Sequence, residues 1–420
     1  MSSNTKTKGH ALLDLIVGLQ IISPLLIYYN IPFTTIGINT TINLLSLVFG
    51  LYYVIADRNL KIRKKSFENS FAMFSVYLAC LTVGLFLFAK YKVELGMTFI
   101  NMLFVAVVLL IYPKRIRYSS CIKLYKVISY VSIGFFLLQF FADIASGRHL
   151  DLHIPFLPLQ ESSVSAFRTT SAGFFSEPAH LAQFITPLIV ISLFGEDGSK
   201  NNLVPAIFLT VVCLMTISGN AIVICALLWA IFFGKKAKDG KAKGLIWYII
   251  GIAAFFIVIA IVSRIPEFMR VVNRLFYDRT GEAYNFTKAD YRIYRGFDYY
   301  LMLPWVNKIF GVGYKALESF AKFAGISSQY DTKQSAEYLN AVAQTLVYSG
   351  AVGFILYAKS LVRMAKDSNL VGKMILLTYF ALSISSSILL DSTMIFFIFI
   401  AATQKNTSND KGGKEVVSDL

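Results

Sequence analysis

The residues best suited to chemistry lie in two polar stretches. In the first, Glu177 and Pro178 are followed one turn later by His180, and Arg168 lies upstream. A carboxylate close to a histidine can accept a proton from a hydroxyl group. Glu177 also suits the first turn of a helix capped by Ser176, where exposed N–H groups favour negative charge. A proton-accepting role and a structural role for Glu177 both stay open.

The second stretch interleaves arginine with aromatic residues. A guanidinium binds phosphate oxygens in a bidentate manner, and an aromatic ring offers a flat face to a sugar ring. Residues 288–302 have helical composition, and Arg292, Arg295 and Tyr299 recur at i, i+3 and i+7 on one face. The alternative is an amphipathic hairpin lying on lipid headgroups with its arginines solvated. The full set is Arg264, Arg270, Arg274, Arg279, Arg292 and Arg295, with Phe276, Tyr277, Tyr284, Tyr291, Tyr294, Tyr299 and Tyr300.

Other polar residues are weaker candidates. His149, Asp151 and His153 alternate and would share one face of an extended stretch, as metal ligands can. They lack a fourth partner, which favours a solvated strand. Asp14 and Asp391 lie near predicted span ends, where a side chain reaches the interface at low cost. We therefore predict no metal site and no transport role for these carboxylates.

Long apolar segments must position these stretches. A hydrophobic share of 56% and a mean hydropathy of +0.61 are high for a soluble chain, so lipid is the expected solvent for most of the surface. A helix needs roughly 20 apolar residues to cross about 30 Å of hydrocarbon. We predict about twelve such spans, at 11–29, 36–56, 70–89, 94–112, 124–144, 176–194, 202–218, 219–233, 244–262, 336–358, 371–388 and 390–403.

The basic residues orient these spans. The formal net charge is +16, and its Lys and Arg clusters follow even-numbered spans, at 58–65, 114–117, 235–243 and 359–366. Because cytoplasmic loops hold the excess of Lys and Arg, both termini are expected in the cytoplasm, with a tail at 404–420. Two long connections, 145–176 and 263–335, then fall on the outer side, where their length indicates function. Anionic lipid, not nucleic acid, is the expected partner of the positive charge.

Two further patterns exclude other classes of protein. The sequence contains no Walker-type or dinucleotide-type glycine motif, so no nucleotide cofactor is expected. The cysteines show no C-x-x-C spacing and are expected to be small core residues. They are Cys80, Cys121, Cys213 and Cys225.

The order of these pieces resembles the Wzy family of O-antigen and capsule polymerases, and more distantly the O-antigen ligases. The family pattern R…G-x-F-x-E-P entering a span is matched by Arg168, Gly173, Phe174, Phe175, Glu177 and Pro178, and a span follows from Ser218 and Gly219. A later R…P…G-x-G and an N-x(9)-G-x-x-G are matched by Arg292 or Arg295, Pro304, Gly311, Gly313, Asn340, Gly350 and Gly353. Pro304 is expected to end the arginine helix, and the following glycines to form a tight, flexible turn. Leu339 stands where ligases typically carry histidine, which favours a polymerase.

The resemblance implies an all-α, GT-C-like polytopic protein of the bacterial inner membrane. Such a polymerase transfers a growing glycan from undecaprenyl pyrophosphate to another lipid-linked repeat unit at the periplasmic face. Arg168 and Arg292 or Arg295 would stabilise pyrophosphate charge, and Glu177 would activate the acceptor hydroxyl or orient an arginine. The substrate contacts implied in addition are His180, Arg270, Arg274, Arg279, Tyr299 and Asn340.

The resemblance also sets the expected partners and alternatives. The partners are the lipid-linked oligosaccharide, membrane lipid and a protein that regulates chain length, with no cofactor and no metal. A ligase or another lipid-dependent glycosyltransferase is the first alternative. A flippase is less favoured, because transporters have internal repeats and polar sites near the midplane, whereas the informative residues here lie in outer loops.

Overall fold

The computed structural model describes residues 3–34, 36–56, 118–146, 150–154, 156–160, 171–195, 201–216, 218–238, 287–329, 338–389 and 391–402. The regular segments among these residues are helices, and the strand-like pairing consists of two isolated antiparallel bridges. We number the helices α1 (Ser3–Leu26), α2 (Ile38–Ala56), α3 (Tyr118–Ser146), α4 (Pro178–Phe194), α5 (Leu203–Met215), α6 (Gly219–Lys238), α7 (Thr287–Met302), α8 (Trp305–Phe310), α9 (Leu317–Ala324), α10 (Ala341–Asp367), α11 (Leu370–Ser385) and α12 (Ser392–Ala402).

Three of these helices, α3, α6 and α10, are long and apolar enough to cross a membrane. Shorter apolar helices surround them, and large apolar side chains such as Val127, Phe141 and Ile144 of α3 are exposed. An exposed apolar surface of this kind is suited to lipid. The described chain is therefore all-helical in the manner of an α-helical membrane protein. The predicted spans at 70–89, 94–112 and 244–262 lie outside the described residues, and each of the other predicted segments coincides with a helix.

Helix α4 lies at the centre of the packing. It packs against α3, α5, α11 and α12, and every side chain from Leu181 to Ile191 is buried. A helix that is apolar on all sides is stable only when it is enclosed. Aromatic rings hold it in place, since Phe184 lies 5.3 Å from Tyr125 and 5.0 Å from Phe396 between ring centroids.

Helix α10 is interrupted at Gly350. This residue has φ 67° and ψ −173°, a conformation that side chains strongly disfavour. The break releases carbonyl groups, and the loop after α8 satisfies them. The N–H of Val312 donates to the carbonyl of Val347 at 2.9 Å, and that of Gly313 to Tyr348 at 2.9 Å. The predicted turn at 311–313 is therefore docked on the break.

The backbones of the α8 segment and of α10 approach each other most closely at Gly311 and Gly350. A Cβ on Gly311 would collide with the carbonyl of Tyr348, and a Cβ on Gly350 with the carbonyl of Ile309. These glycines fix α8 against α10 instead of providing flexibility. As predicted, α7 ends at Met302, and Pro304 is the N-cap residue of α8.

Several smaller predictions can be compared with the fold. Cys121, Cys213 and Cys225 are buried as expected, and Cys80 lies outside the described residues. Asp151 and His153 face each other, with 3.2 Å between Oδ1 and Nδ1, and both are well exposed. No group of three or more metal-ligating side chains occurs in the described part of the chain, which does not include His149.

Candidate functional site

The segment that leads into α4 is held tightly against α3. The Gln139 side chain of α3 accepts hydrogen bonds from the N–H groups of Ala172 at 3.1 Å and Gly173 at 2.6 Å. Gly173 has φ 64°, and a Cβ there would lie 2.8 Å from the Ser132 carbonyl. Phe175 is buried against Phe184. The glycine and phenylalanine of the first motif thus fix the direction in which α4 begins.

Glu177 is the N-cap residue of α4, in extended conformation with φ −137° and ψ 142°. Its side chain makes no capping hydrogen bond and is exposed, so capping does not account for the carboxylate. The prediction that Ser176 caps this helix is wrong. Glu177 takes the N-cap position instead, and Ser176 is buried with its hydroxyl hydrogen-bonded to Tyr28.

Tyr28 connects the end of α1 to the start of α4. Its ring stacks on His180 with 5.6 Å between centroids, and its hydroxyl lies within electrostatic range of Glu177 and Asp391. Asp391 precedes α12 and accepts a hydrogen bond from the N–H of Met394 at 2.9 Å. The carboxylate of Asp391 therefore has a structural partner at the start of α12.

Arg295 lies inside the protein, on α7. It is only 2% exposed, and its guanidinium donates to the carbonyl of Tyr338. The predicted alternative in which the arginines are solvated on headgroups is therefore wrong for Arg295. Tyr299 is buried one turn further along α7, and Gly296 allows close contact with Ala343 of α10. This packing holds the arginine beside the start of α10.

Asn340 joins α7 to α10. Its side-chain oxygen accepts from the N–H of Ala343 at 2.9 Å as the N-cap of α10, and its amide donates to the carbonyl of Ile293 at 3.1 Å. Both polar atoms of the Asn340 side chain thus have structural partners. We expect Asn340 to position Arg295 rather than to contact a substrate.

Residues from the N-terminal parts of three helices meet at Ser386, which follows α11. Its carbonyl accepts from the N–H of Ala341 on α10 at 2.9 Å. Its hydroxyl accepts from Gln183 on α4 at 3.4 Å and from Asn220 on α6 at 3.1 Å. The next residue, Ser387, accepts from Gln344 on α10 at 2.7 Å. We call Gln183, Asn220, Gln344, Ser386 and Ser387 the Ser386 cluster.

This arrangement gives one end of the bundle a positive electrostatic character. The N-termini of α4, α6 and α10 converge there through the Ser386 cluster, and each helix N-terminus carries a partial positive charge. At the opposite ends of α6 and α10 lie exposed basic residues, including Lys236, Lys238 and Lys366. An anion is therefore favoured at this end of the bundle where it can reach the guanidinium of Arg295.

The structure brings some of the predicted site residues together and leaves others undescribed. Glu177 and His180 share the first turn of α4, and Arg295 and Tyr299 lie on the α7 face that packs near Asn340. Arg292 lies in α7, but its side chain is outside the described residues. Also outside them are Arg168, Arg264, Arg270, Arg274 and Arg279.

Sequence reasoning missed the Ser386 cluster. The available signal was polar spacing within apolar helices, since Gln183 follows His180 by three residues and Gln344 follows Asn340 by four. Such spacing places each pair on one helix face. A polar residue inside a membrane helix is itself a sign of function.

No protein-family model matches the chain, and a search of curated proteins returns no match.

Proposed function

We propose that the chain is an O-antigen or capsule repeat-unit polymerase, a GT-C-like glycosyltransferase of the bacterial inner membrane. In this proposal it crosses the membrane about twelve times with both termini in the cytoplasm. It transfers a growing glycan from undecaprenyl pyrophosphate to another lipid-linked repeat unit at the periplasmic face. A ligase that uses the same lipid-linked donor is the alternative.

One observation supports this proposal above all others. An exposed carboxylate, Glu177, and a buried guanidinium, Arg295, belong to the same end of the helix bundle, linked through Tyr338, Ala341 and Ser386. Basic residues mark the opposite ends of α6 and α10, which the positive-inside rule assigns to the cytoplasm. The candidate site would then face the periplasm, where lipid-linked repeat units are joined.

The proposed reaction is a substitution at the anomeric carbon of the donor glycan. The acceptor hydroxyl attacks that carbon and loses its proton to Glu177, while the bond from carbon to the pyrophosphate oxygen breaks. The leaving undecaprenyl pyrophosphate gains negative charge. Arg295 and the helix N-termini stabilise this charge. Arg168 and Arg292, whose side chains lie outside the described residues, are further candidates for the same role.

The first experiment uses purified protein and lipid-linked repeat units. We expect the full chain in lipid nanodiscs to convert single undecaprenyl-pyrophosphate-linked units into a ladder of longer products, without ATP or added metal. Gel separation of the glycans reads the result. The absence of any lengthening by folded protein, with authentic units from the same strain, contradicts the proposal.

A deletion strain separates the competing classes. Loss of a polymerase leaves export and ligation intact, so surface lipid A core should carry one repeat unit without a ladder. Loss of a ligase would instead leave long polymer on undecaprenyl pyrophosphate, and loss of a flippase would leave single units inside the cell. Either of these patterns would replace the polymerase assignment.

A further inference from the structure

Gln183 and Gln344 form a matched pair inside the bundle. They are only 6% and 7% exposed and come from two different helices, Gln183 from the second turn of α4 and Gln344 from the first turn of α10. Each donates its amide N–H to one of two consecutive hydroxyl groups, Gln183 to Ser386 at 3.4 Å and Gln344 to Ser387 at 2.7 Å. Two amides therefore converge on one short segment.

The acceptor side of both amides is unused. Within the described part of the chain, neither Oε1 of Gln183 nor Oε1 of Gln344 accepts a hydrogen bond, although both atoms are buried. Nδ1 of His180, one turn before Gln183, is likewise buried without a hydrogen-bond partner in the described part of the chain. Buried polar atoms are normally satisfied, because water is not available to replace a missing donor. These atoms therefore indicate a ligand that supplies hydrogen-bond donors.

The chemistry of the cluster defines the class of that ligand. All five members of the Ser386 cluster are uncharged, and the two free acceptors are carbonyl oxygens. Carbonyl oxygens attract hydroxyl hydrogens and repel the oxygens of a phosphate. Ser387 is exposed, so the cluster borders the protein surface. A neutral group with several hydroxyls, such as a sugar ring, fits these conditions.

We infer that the Ser386 cluster binds an uncharged sugar of the acceptor repeat unit, with Gln183 and Gln344 accepting hydrogen bonds from its hydroxyls. This inference rests on the proposed function. Gln183 follows Glu177 by six residues, which is about 9 Å along a helix axis. The cluster would thus hold the sugar end of the acceptor on the Glu177 side of the site. The pyrophosphate of the donor would stay with Arg295. Gln183 and Gln344 would determine acceptor specificity without taking part in proton transfer.

The test measures binding and does not need polymerase activity. The probe is the free repeat-unit oligosaccharide, released from the lipid carrier by mild acid so that it has no phosphate. We expect it to raise the Tm of the wild-type protein in nanodiscs in a saturable manner. In Gln183→Met and Gln344→Met, which keep side-chain length and remove both polar atoms, the apparent Kd should increase at least about tenfold, the change that one lost hydrogen bond of 1.4 kcal/mol gives.

Gln20→Met is the matched control. Gln20 is also a buried glutamine with an unused Oε1, but it donates to Asn43 and Ser46 between α1 and α2, away from the Ser386 cluster. Its substitution should leave the oligosaccharide Kd unchanged. If a Met variant does not fold, Gln183→Asn or Gln344→Asn withdraws the amide by one methylene and gives the same comparison.

The outcomes separate this site from the proposed function. Oligosaccharide binding that depends on both glutamines supports the site even if the protein fails to lengthen lipid-linked units. Unchanged binding in both Met variants overturns the site even if polymerisation is confirmed. A Tm shift caused by inorganic pyrophosphate, or by Na⁺ or K⁺, that both glutamine variants abolish would also overturn it, because the ligand would then be an ion.

Discussion

Glu177 is the N-cap residue of α4, but its carboxylate makes no capping hydrogen bond. Because its side chain is exposed and makes no capping hydrogen bond, its loss should leave the fold nearly unchanged, within about 0.5 kcal/mol of unfolding free energy. As the proton acceptor, it should be needed for chemistry. We expect Glu177→Gln and Glu177→Ala to slow glycan lengthening alike, by roughly 10²–10⁴-fold, in the nanodisc assay.

The control for the Glu177 variants is another carboxylate near the start of a helix. Glu318 lies in the first turn of α9 and pairs with Lys322 at 2.8 Å on an exposed face, so Glu318→Gln should keep full activity. Substantial lengthening by Glu177→Gln, together with complete loss in Glu177→Ala, would assign Glu177 an orienting role instead of proton transfer.

Arg295 differs from Glu177 because it is buried, and its substitution should affect both stability and activity. Arg295→Met leaves the Tyr338 carbonyl without this donor, which should cost about 1–3 kcal/mol of unfolding free energy. Arg295→Lys keeps the charge but loses the planar fork, so we expect lengthening to fall roughly 10²-fold at normal membrane abundance. Arg363→Lys, near the other end of α10, is the control. Wild-type rates in Arg295→Lys would remove the pyrophosphate role.

The junction of α8 and α10 is formed by backbone contacts between the two helices, and these contacts are close enough to require glycine. Gly350→Ala would place a Cβ against the Ile309 carbonyl in a left-handed conformation, so we expect a loss of at least about 2 kcal/mol and a lower Tm. Gly134→Ala in α3 is the matched control. Nothing lies within 4 Å of its Cβ position, so alanine there should be neutral or stabilising by about 0.5–1 kcal/mol. Equal Tm values for the two variants would contradict this account of the break.

The same junction illustrates what the sequence can predict. Helix α7 and its end before Pro304 follow from periodicity and from proline's missing N–H, both of which are local properties. The docking of Gly311 on the Gly350 break depends on a contact between residues nearly forty positions apart, which no local pattern encodes. Gln183 and Gln344 were missed for the same reason. Each is one polar residue in an apolar helix until Ser386 and Ser387 bring the two together.

The orientation of the whole molecule decides whether the candidate site can meet its substrate. Lys236 at the end of α6 and Lys322 on α9 are both exposed and belong to the predicted cytoplasmic and periplasmic sides, respectively. In a variant lacking the four native cysteines, we expect a membrane-impermeant maleimide added to intact cells with a permeable outer membrane to label Lys322→Cys but not Lys236→Cys. After lysis both should react, which shows that each position is accessible in the folded protein. Labelling of Lys236→Cys alone in intact cells would invert the topology and place Glu177, Arg295 and the Ser386 cluster in the cytoplasm, away from exported repeat units.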